Sequence, residues 1–87
     1  MTALSSGTGR YGPWAAGIAP EERAARFREL HALAMLILGR EHPLVAQLRD
    51  APRGADAAAA AWRELHELPS RLQRRLLCTY ARLDAPR

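Results

Sequence analysis

Two segments of this chain are nearly identical to each other. Residues 24–33 (AARFRELHAL) align with residues 59–68 (AAAWRELHEL) at an offset of 35 positions. Seven of the ten positions are identical, and at an eighth Phe27 is aligned with Trp62. A repeat of about this length is typical of helical hairpins that pack against one another. The sequence therefore predicts two helical hairpins, and the alternative is a chance resemblance in a chain rich in Ala, Arg and Leu.

Proline and glycine residues set the expected limits of the first two helices. The first helix is predicted to begin at Pro20, because the fixed φ angle of proline suits the first helical position. It is predicted to stop just before Gly39, because glycine is suited to the position that follows the end of a helix. A short second helix is predicted to begin at Pro43 and to stop before Pro52, so the first hairpin pairs a long helix with a short one.

The second hairpin is predicted from similar signals. Asp56 is a suitable N-cap for the third helix, and Pro69 ends it because the residue before a proline disfavours the α conformation. The fourth helix is predicted to run from Pro69 or Ser70 to about Leu83. Its inward side chains are predicted to be Leu72, Leu76, Thr79, Tyr80 and Leu83. The expected fold is therefore all-α, a small bundle of about four helices in two hairpins with a short second helix.

The first 19 residues differ in composition from the rest of the chain. This segment is rich in Gly and Ser and has no helical or strand periodicity, so we expect a flexible N-terminal arm over residues 1–19 and a helical domain over residues 20–84. Arg10, Tyr11 and Trp14 are large side chains for such a segment. We expect them either to fold back onto the helices or to contact a partner.

The composition limits the protein's size class and its partners. The chain has 87 residues, which is one domain at most, with a core that is only just large enough. All 13 basic residues are Arg and the net charge is +4, which permits contact with nucleic acid or with an acidic protein surface. No run of about 18 apolar residues occurs, and the lone Cys78 is typical of a reducing compartment. We therefore expect a cytoplasmic protein without a membrane span.

The residue patterns that suggest chemistry are weak. Residues 7–12 match G-x-G-x-x-G, a motif that must follow a strand and open a helix, but only six residues precede it and Pro13 and Trp14 follow, so a dinucleotide site is not expected. His31 and His66 follow Phe27 and Trp62 by four residues each, and we expect both histidines at the edge of the core, stacked on these aromatic rings. Cys78 has no evident base beside it. We therefore expect no enzyme activity, no metal site and no cofactor.

The fourth helix carries four of the candidate binding residues. Arg71, Arg74, Arg75 and Arg82 are predicted to lie on its outer side, where they face solvent or contact phosphates or an acidic protein surface. Together with Arg10, Tyr11 and Trp14 they form the predicted partner-binding set, because Arg, Tyr and Trp are the residues that dominate binding energy at interfaces.

The last two turns of the first helix are apolar nearly all round. Leu33, Met35 and Leu36 lie there, and leaving such side chains in water forgoes about 1.5–3 kcal/mol each. The alternatives are that the second and fourth helices sandwich the first helix, or that this surface forms a homodimer.

These observations favour a non-enzymatic helical binding protein that regulates, inhibits or scaffolds a larger assembly through protein–protein contacts. An accessory protein of a phage or mobile element, such as an inhibitor of a host nuclease system, would suit this description. The alternative is a small, dimeric DNA- or RNA-binding regulator that places the arginines of the fourth helix on phosphates and uses the aromatic N-terminal arm for base or groove contacts.

Overall fold

The protein is described here by a computed structural model that covers residues 12–84. Its helices are α1 (Pro20–Leu38), α2 (Pro43–Asp50), α3 (Ala55–His66) and α4 (Ser70–Asp84). Short 3₁₀ turns at Gly12–Trp14 and Ala51–Arg53 precede α1 and α3. The described residues contain no strand. The all-α class, the four helices and the short second helix are therefore confirmed.

The helix termini of the first hairpin lie where the sequence predicts them. Pro20 is the first residue of α1, and Gly39 follows its last residue with φ 93° and donates its amide to the Met35 carbonyl at 3.1 Å. Pro43 is the first residue of α2. His42 is the N-cap of α2, and its ring Nδ1 accepts a hydrogen bond from the Leu44 amide at 3.1 Å.

The predicted N-cap of α3 is wrong. The helix begins at Ala55 with Gly54 at the N-cap, so Asp56 lies inside the first turn and makes no capping hydrogen bond. Alanine has the highest helix propensity of any residue, and in this alanine-rich segment the helix begins two residues earlier than an N-cap at Asp56 would place it. The Asp56 carboxylate still lies at the positive end of the helix dipole, where a negative charge is favourable.

The two repeated segments contribute equivalent side chains to one core. Leu30 of α1 and Leu65 of α3 are fully buried, and Leu33 and Leu68 are 8% and 7% exposed. The core is completed by side chains from α1, α2, α3, α4 and the turn before α3: Phe27, Ala34, Leu44, Val45, Leu48, Ala51, Ala61, Leu76 and Tyr80. α1 packs on both α2 and α4, and α2 also packs on α3. The repeat therefore directs the same helix face inward in both of its copies.

The inward face of α4 differs in part from the prediction. Leu76 and Tyr80 are buried as expected, whereas Leu83 is 53% exposed. Leu83 lies two turns after Leu76 on the same side of the helix. Its exposure therefore means that the last turn of α4 extends past the core. Leu77, which is not among the predicted inward residues, is half-buried against the core.

The segment before α1 is attached to the bundle by its backbone and by Trp14. The carbonyl oxygens of Gly12 and Pro13 accept hydrogen bonds from Arg26 Nη1 at 3.1 Å and Arg23 Nη1 at 2.8 Å. Gly12 has φ 61°, and a Cβ at this position would lie 3.1 Å from the Tyr80 ring. Glycine is therefore needed here for both its conformation and its small size.

Trp14 contacts the aromatic residue of each repeated segment. Its ring lies edge-on to Phe27, with centroids 5.3 Å apart, and edge-on to Trp62 at 5.0 Å. Its indole Nε1 donates to the Ala58 carbonyl at 2.9 Å. Of the two expected alternatives for Trp14, the structure thus has the one in which it folds back onto the helices. Arg10 and Tyr11 lie outside the described residues, as does the rest of the segment 1–11.

Candidate binding surface on the fourth helix

The outer side of α4 is a continuous basic surface. The opposite side of this helix is held in the core by Leu76 and Tyr80, both fully buried. The four predicted arginines, which we call the arginine face, are all exposed: Arg71, Arg74, Arg75 and Arg82. At 3.6 residues per turn, Arg71, Arg75 and Arg82 lie within about 40° of one another and span about 16 Å along the axis. The prediction that these residues share one outer face agrees with the structure.

Among the side chains that the structure describes, residues 12–83, none forms an ion pair with the arginine face. No Asp or Glu occurs between residues 68 and 83. The ion pairs found in the described part of the chain join Arg26 to Glu22 at 2.9 Å and Arg49 to Asp50 at 3.5 Å, and neither involves α4. Four guanidinium groups on one helix are therefore available for an anionic partner, each with a planar set of donors suited to carboxylate or phosphate.

A cleft lies along one flank of the same helix. It is lined by Ser70, Gln73, Arg74 and Leu77 and has a volume of about 200 Å³. Arg74 belongs to both the cleft and the arginine face. Ser70, Gln73 and Leu77 are absent from the predicted partner-binding set. Their i, i+3 and i+7 spacing places them on one side of a helix, but that spacing alone does not reveal a concave surface.

The histidines and the cysteine lie at the surface or near it. His66 is exposed, and its ring lies 4.2 Å from that of Trp62 with the two planes tilted by 44°, so the predicted contact with this aromatic residue is present but is not a parallel stack. Its Nδ1 also donates to the Trp62 carbonyl at 2.9 Å. The ring contacts found among residues 12–84 do not include one between His31 and Phe27, so the corresponding prediction for His31 is not met. His31 is half-buried, and Cys78 is exposed among the arginines of α4. Within residues 12–84, no three His, Cys, Asp or Glu side chains come together in a way that would hold a metal ion.

The three residues of the predicted oligomer interface divide between two environments. Leu33 is only 8% exposed and belongs to the core between the helices, as the sandwich alternative requires. Met35 is 39% exposed and Leu36 is 82% exposed. A homodimer through this end of α1 therefore stays a prediction that rests on Met35 and Leu36 alone.

Comparisons of the chain with protein-family models, with curated proteins and with solved structures found no significant match. Among the residues that the structure describes, no helix has the combination of length and apolar character needed to cross a bilayer. The functional argument therefore depends on the surface of α4 itself.

Proposed function

We propose that this protein acts by binding rather than by catalysis, and that it docks α4 on an acidic surface of a larger protein assembly that it regulates, inhibits or scaffolds. The observation that carries the proposal is the arginine face, which is exposed, is not neutralised within residues 12–84, and belongs to a helix anchored by its opposite side. The helix that carries the face is already folded, so the ordering cost on binding is confined to the arginine side chains, at about 0.5–1.5 kcal/mol for each one that is immobilised. The cytoplasm is the compartment we propose for it, because Cys78 is a lone, exposed thiol.

Two features support a protein partner over nucleic acid. The arginines adjoin a cleft that includes the half-buried Leu77, and the combination of Arg with apolar contact is typical of protein interfaces. Trp14, which could have stacked on unpaired bases, instead packs between Phe27 and Trp62. The nucleic-acid alternative then depends on phosphate contacts of the arginine face, and on Arg10 and Tyr11.

The two functions differ in the class of anionic partner that the chain binds, an acidic protein surface or a nucleic acid. We would measure fluorescence anisotropy of a labelled Glu-rich helical peptide and of mixed-sequence DNA and RNA, at roughly 50 and 200 mM salt. The expected result is binding of the acidic peptide with weak or no binding of either nucleic acid. Nucleic-acid binding that falls by orders of magnitude across this salt range would instead establish the alternative function.

Matched variants test whether the acidic peptide binds through α4. Arg75→Gln and Arg71→Gln should each weaken peptide binding by up to about fivefold, which corresponds to about 1 kcal/mol for an exposed charge pair. Arg28→Gln is the control, because Arg28 is an exposed arginine of α1 whose loss changes the net charge equally. Equal effects of Arg28→Gln and Arg75→Gln, or no binding of the acidic peptide at low salt, would contradict the proposal.

A further inference from the structure

The cleft on the flank of α4 has the chemistry of a carboxylate site. Arg74 supplies a guanidinium group, Gln73 a side-chain amide and Ser70 a hydroxyl, so three kinds of hydrogen-bond donor line one depression. None of these three side chains makes a hydrogen bond or an ion pair to another group within residues 12–84. Their donors are therefore free to meet an acceptor that enters the cleft.

The remaining wall of the cleft is apolar. Leu77 lies one turn beyond Gln73 and Arg74 and is itself packed against the core, which fixes its position. A ligand that fits such a cleft has an anionic end for Arg74 and a short hydrocarbon portion for Leu77. A small anion such as phosphate satisfies the first requirement and not the second.

The cleft is large enough to hold one side chain that has an anionic end and a short hydrocarbon portion. Its volume is about 200 Å³. A closed apolar cavity of about 150 Å³ holds a benzene molecule. An open cleft of the observed size therefore has room for a carboxylate and two methylene groups.

We propose that this cleft receives a glutamate side chain of the protein partner, with its carboxylate on Arg74, Gln73 and Ser70 and its methylene groups on Leu77. The inference rests on the proposed function, because it names the group that an acidic protein surface would insert beside the arginine face. It also assigns different roles to the four arginines. Arg74 makes a directed contact, while Arg71, Arg75 and Arg82 act mainly through their charge.

The test is a titration of the full-length, ¹⁵N-labelled protein with formate, acetate and propionate, followed by NMR. Propionate is the closest of the three to a glutamate side chain. We expect saturable shifts at the Ser70 and Arg74 amides and at the Gln73 side-chain amide. Each methylene group that is buried against Leu77 should tighten binding by up to about fourfold, since a buried CH₂ contributes about 0.8 kcal/mol. Equal affinities for formate and propionate would overturn the inference.

Two arginine variants provide the matched comparison. Arg74→Gln should weaken propionate binding by about tenfold or more, because a hydrogen bond to a charged group contributes about 1.5–3 kcal/mol. Arg82→Gln removes the same charge from the far end of the arginine face and should change propionate binding by less than about twofold. Ser70→Ala, which keeps all of the charges, should give a smaller loss than Arg74→Gln. Shifts that spread equally over Arg71, Arg75 and Arg82 would contradict a defined site.

The Glu-rich peptide separates this inference from the proposed function. If the peptide binds and Arg74→Gln and Arg82→Gln weaken it equally, docking through α4 stands and the glutamate site in the cleft is wrong. If propionate binds as expected but the peptide does not bind, the cleft is a carboxylate site and the docking function is wrong. Circular dichroism of each variant should give an unchanged helical signal, since Ser70, Arg74 and Arg82 are exposed.

Discussion

The two copies of the repeated segment have nearly the same sequence but different surroundings. Leu30 and Leu65 are buried alike, yet Phe27 is fully buried while its counterpart Trp62 is only half-buried. α1 packs on α2, on α4 and on the 3₁₀ turn at Gly12–Trp14, whereas α3 packs mainly on α2 and on the turn that precedes it. The shared pattern of leucines thus determines which face of each helix is buried. The neighbouring elements determine how far the rest of each helix is covered.

Trp14 connects the two copies through their aligned aromatic residues, Phe27 and Trp62. Its ring contacts both Phe27 and Trp62, and its indole nitrogen donates a hydrogen bond to the Ala58 carbonyl of α3. Trp14 therefore joins α1 and α3 through a segment that belongs to neither repeated copy. The comparison teaches that a duplicated pattern can direct two helices into one core, while a side chain outside the repeat, Trp14, adds a contact that bridges the two copies.

The largest expected effect tests the equivalence of the two leucines. Leu30→Ala and Leu65→Ala should each lower the free energy of unfolding by about 2–5 kcal/mol, because each leaves a cavity in a fully buried position. The two losses should agree within about 1 kcal/mol, as measured by urea denaturation monitored by circular dichroism. A loss below about 1 kcal/mol for either variant would mean that the two copies do not share the core equally.

The contact between the copies is tested by replacing Trp14. Trp14→Ala should cost about 2–3 kcal/mol, which is less than for a fully buried tryptophan because Trp14 is half-buried. Trp14→Phe is the matched variant, since it keeps an aromatic ring and loses the bond to the Ala58 carbonyl, and it should cost about 1 kcal/mol. The change in unfolding free energy is the measurement for both variants. A negligible effect of Trp14→Ala would contradict the role of this side chain in joining α1 to α3.

The parts of the fold that depend on local chemistry could be predicted from the sequence. Pro20, Gly39 and Pro43 act through their own backbone conformations, and the helix boundaries they indicate are confirmed. The prediction of Asp56 as the N-cap is wrong because two local preferences compete there, the N-cap preference of Asp and the helix propensity of the neighbouring alanines. The second prevails, and α3 begins before Asp56. The predicted burial of Leu83 is wrong because helical periodicity indicates which side of α4 faces inward. It does not indicate where along α4 the helices packed against it end.

Only part of the candidate site could be predicted from the sequence, for a related reason. The arginine face follows from the spacing of four residues on one helix, so it could be predicted. The cleft requires Leu77 to be held against the core by other helices, and that packing is not local in sequence. The position of Trp14 is also non-local, because its bonding partner Ala58 lies 44 residues away.

The smallest expected effect concerns the histidines that occupy equivalent positions in the two copies. The His66 ring contacts that of Trp62 at 4.2 Å in a tilted arrangement, but His66 is exposed, so His66→Ala should lower the free energy of unfolding by only about 0.5 kcal/mol. In a domain of this size that loss corresponds to a Tm lower by about 2–4 °C, measured by thermal unfolding. His66→Phe keeps the ring contact and loses the Nδ1 bond to the Trp62 carbonyl, so its Tm should stay within about 2 °C of the parent. If His66→Phe is as destabilising as His66→Ala, the hydrogen bond rather than the ring contact holds His66 in place. The second copy would then differ from the first through the hydrogen bond of His66 and not through the ring contact of its half-buried Trp62.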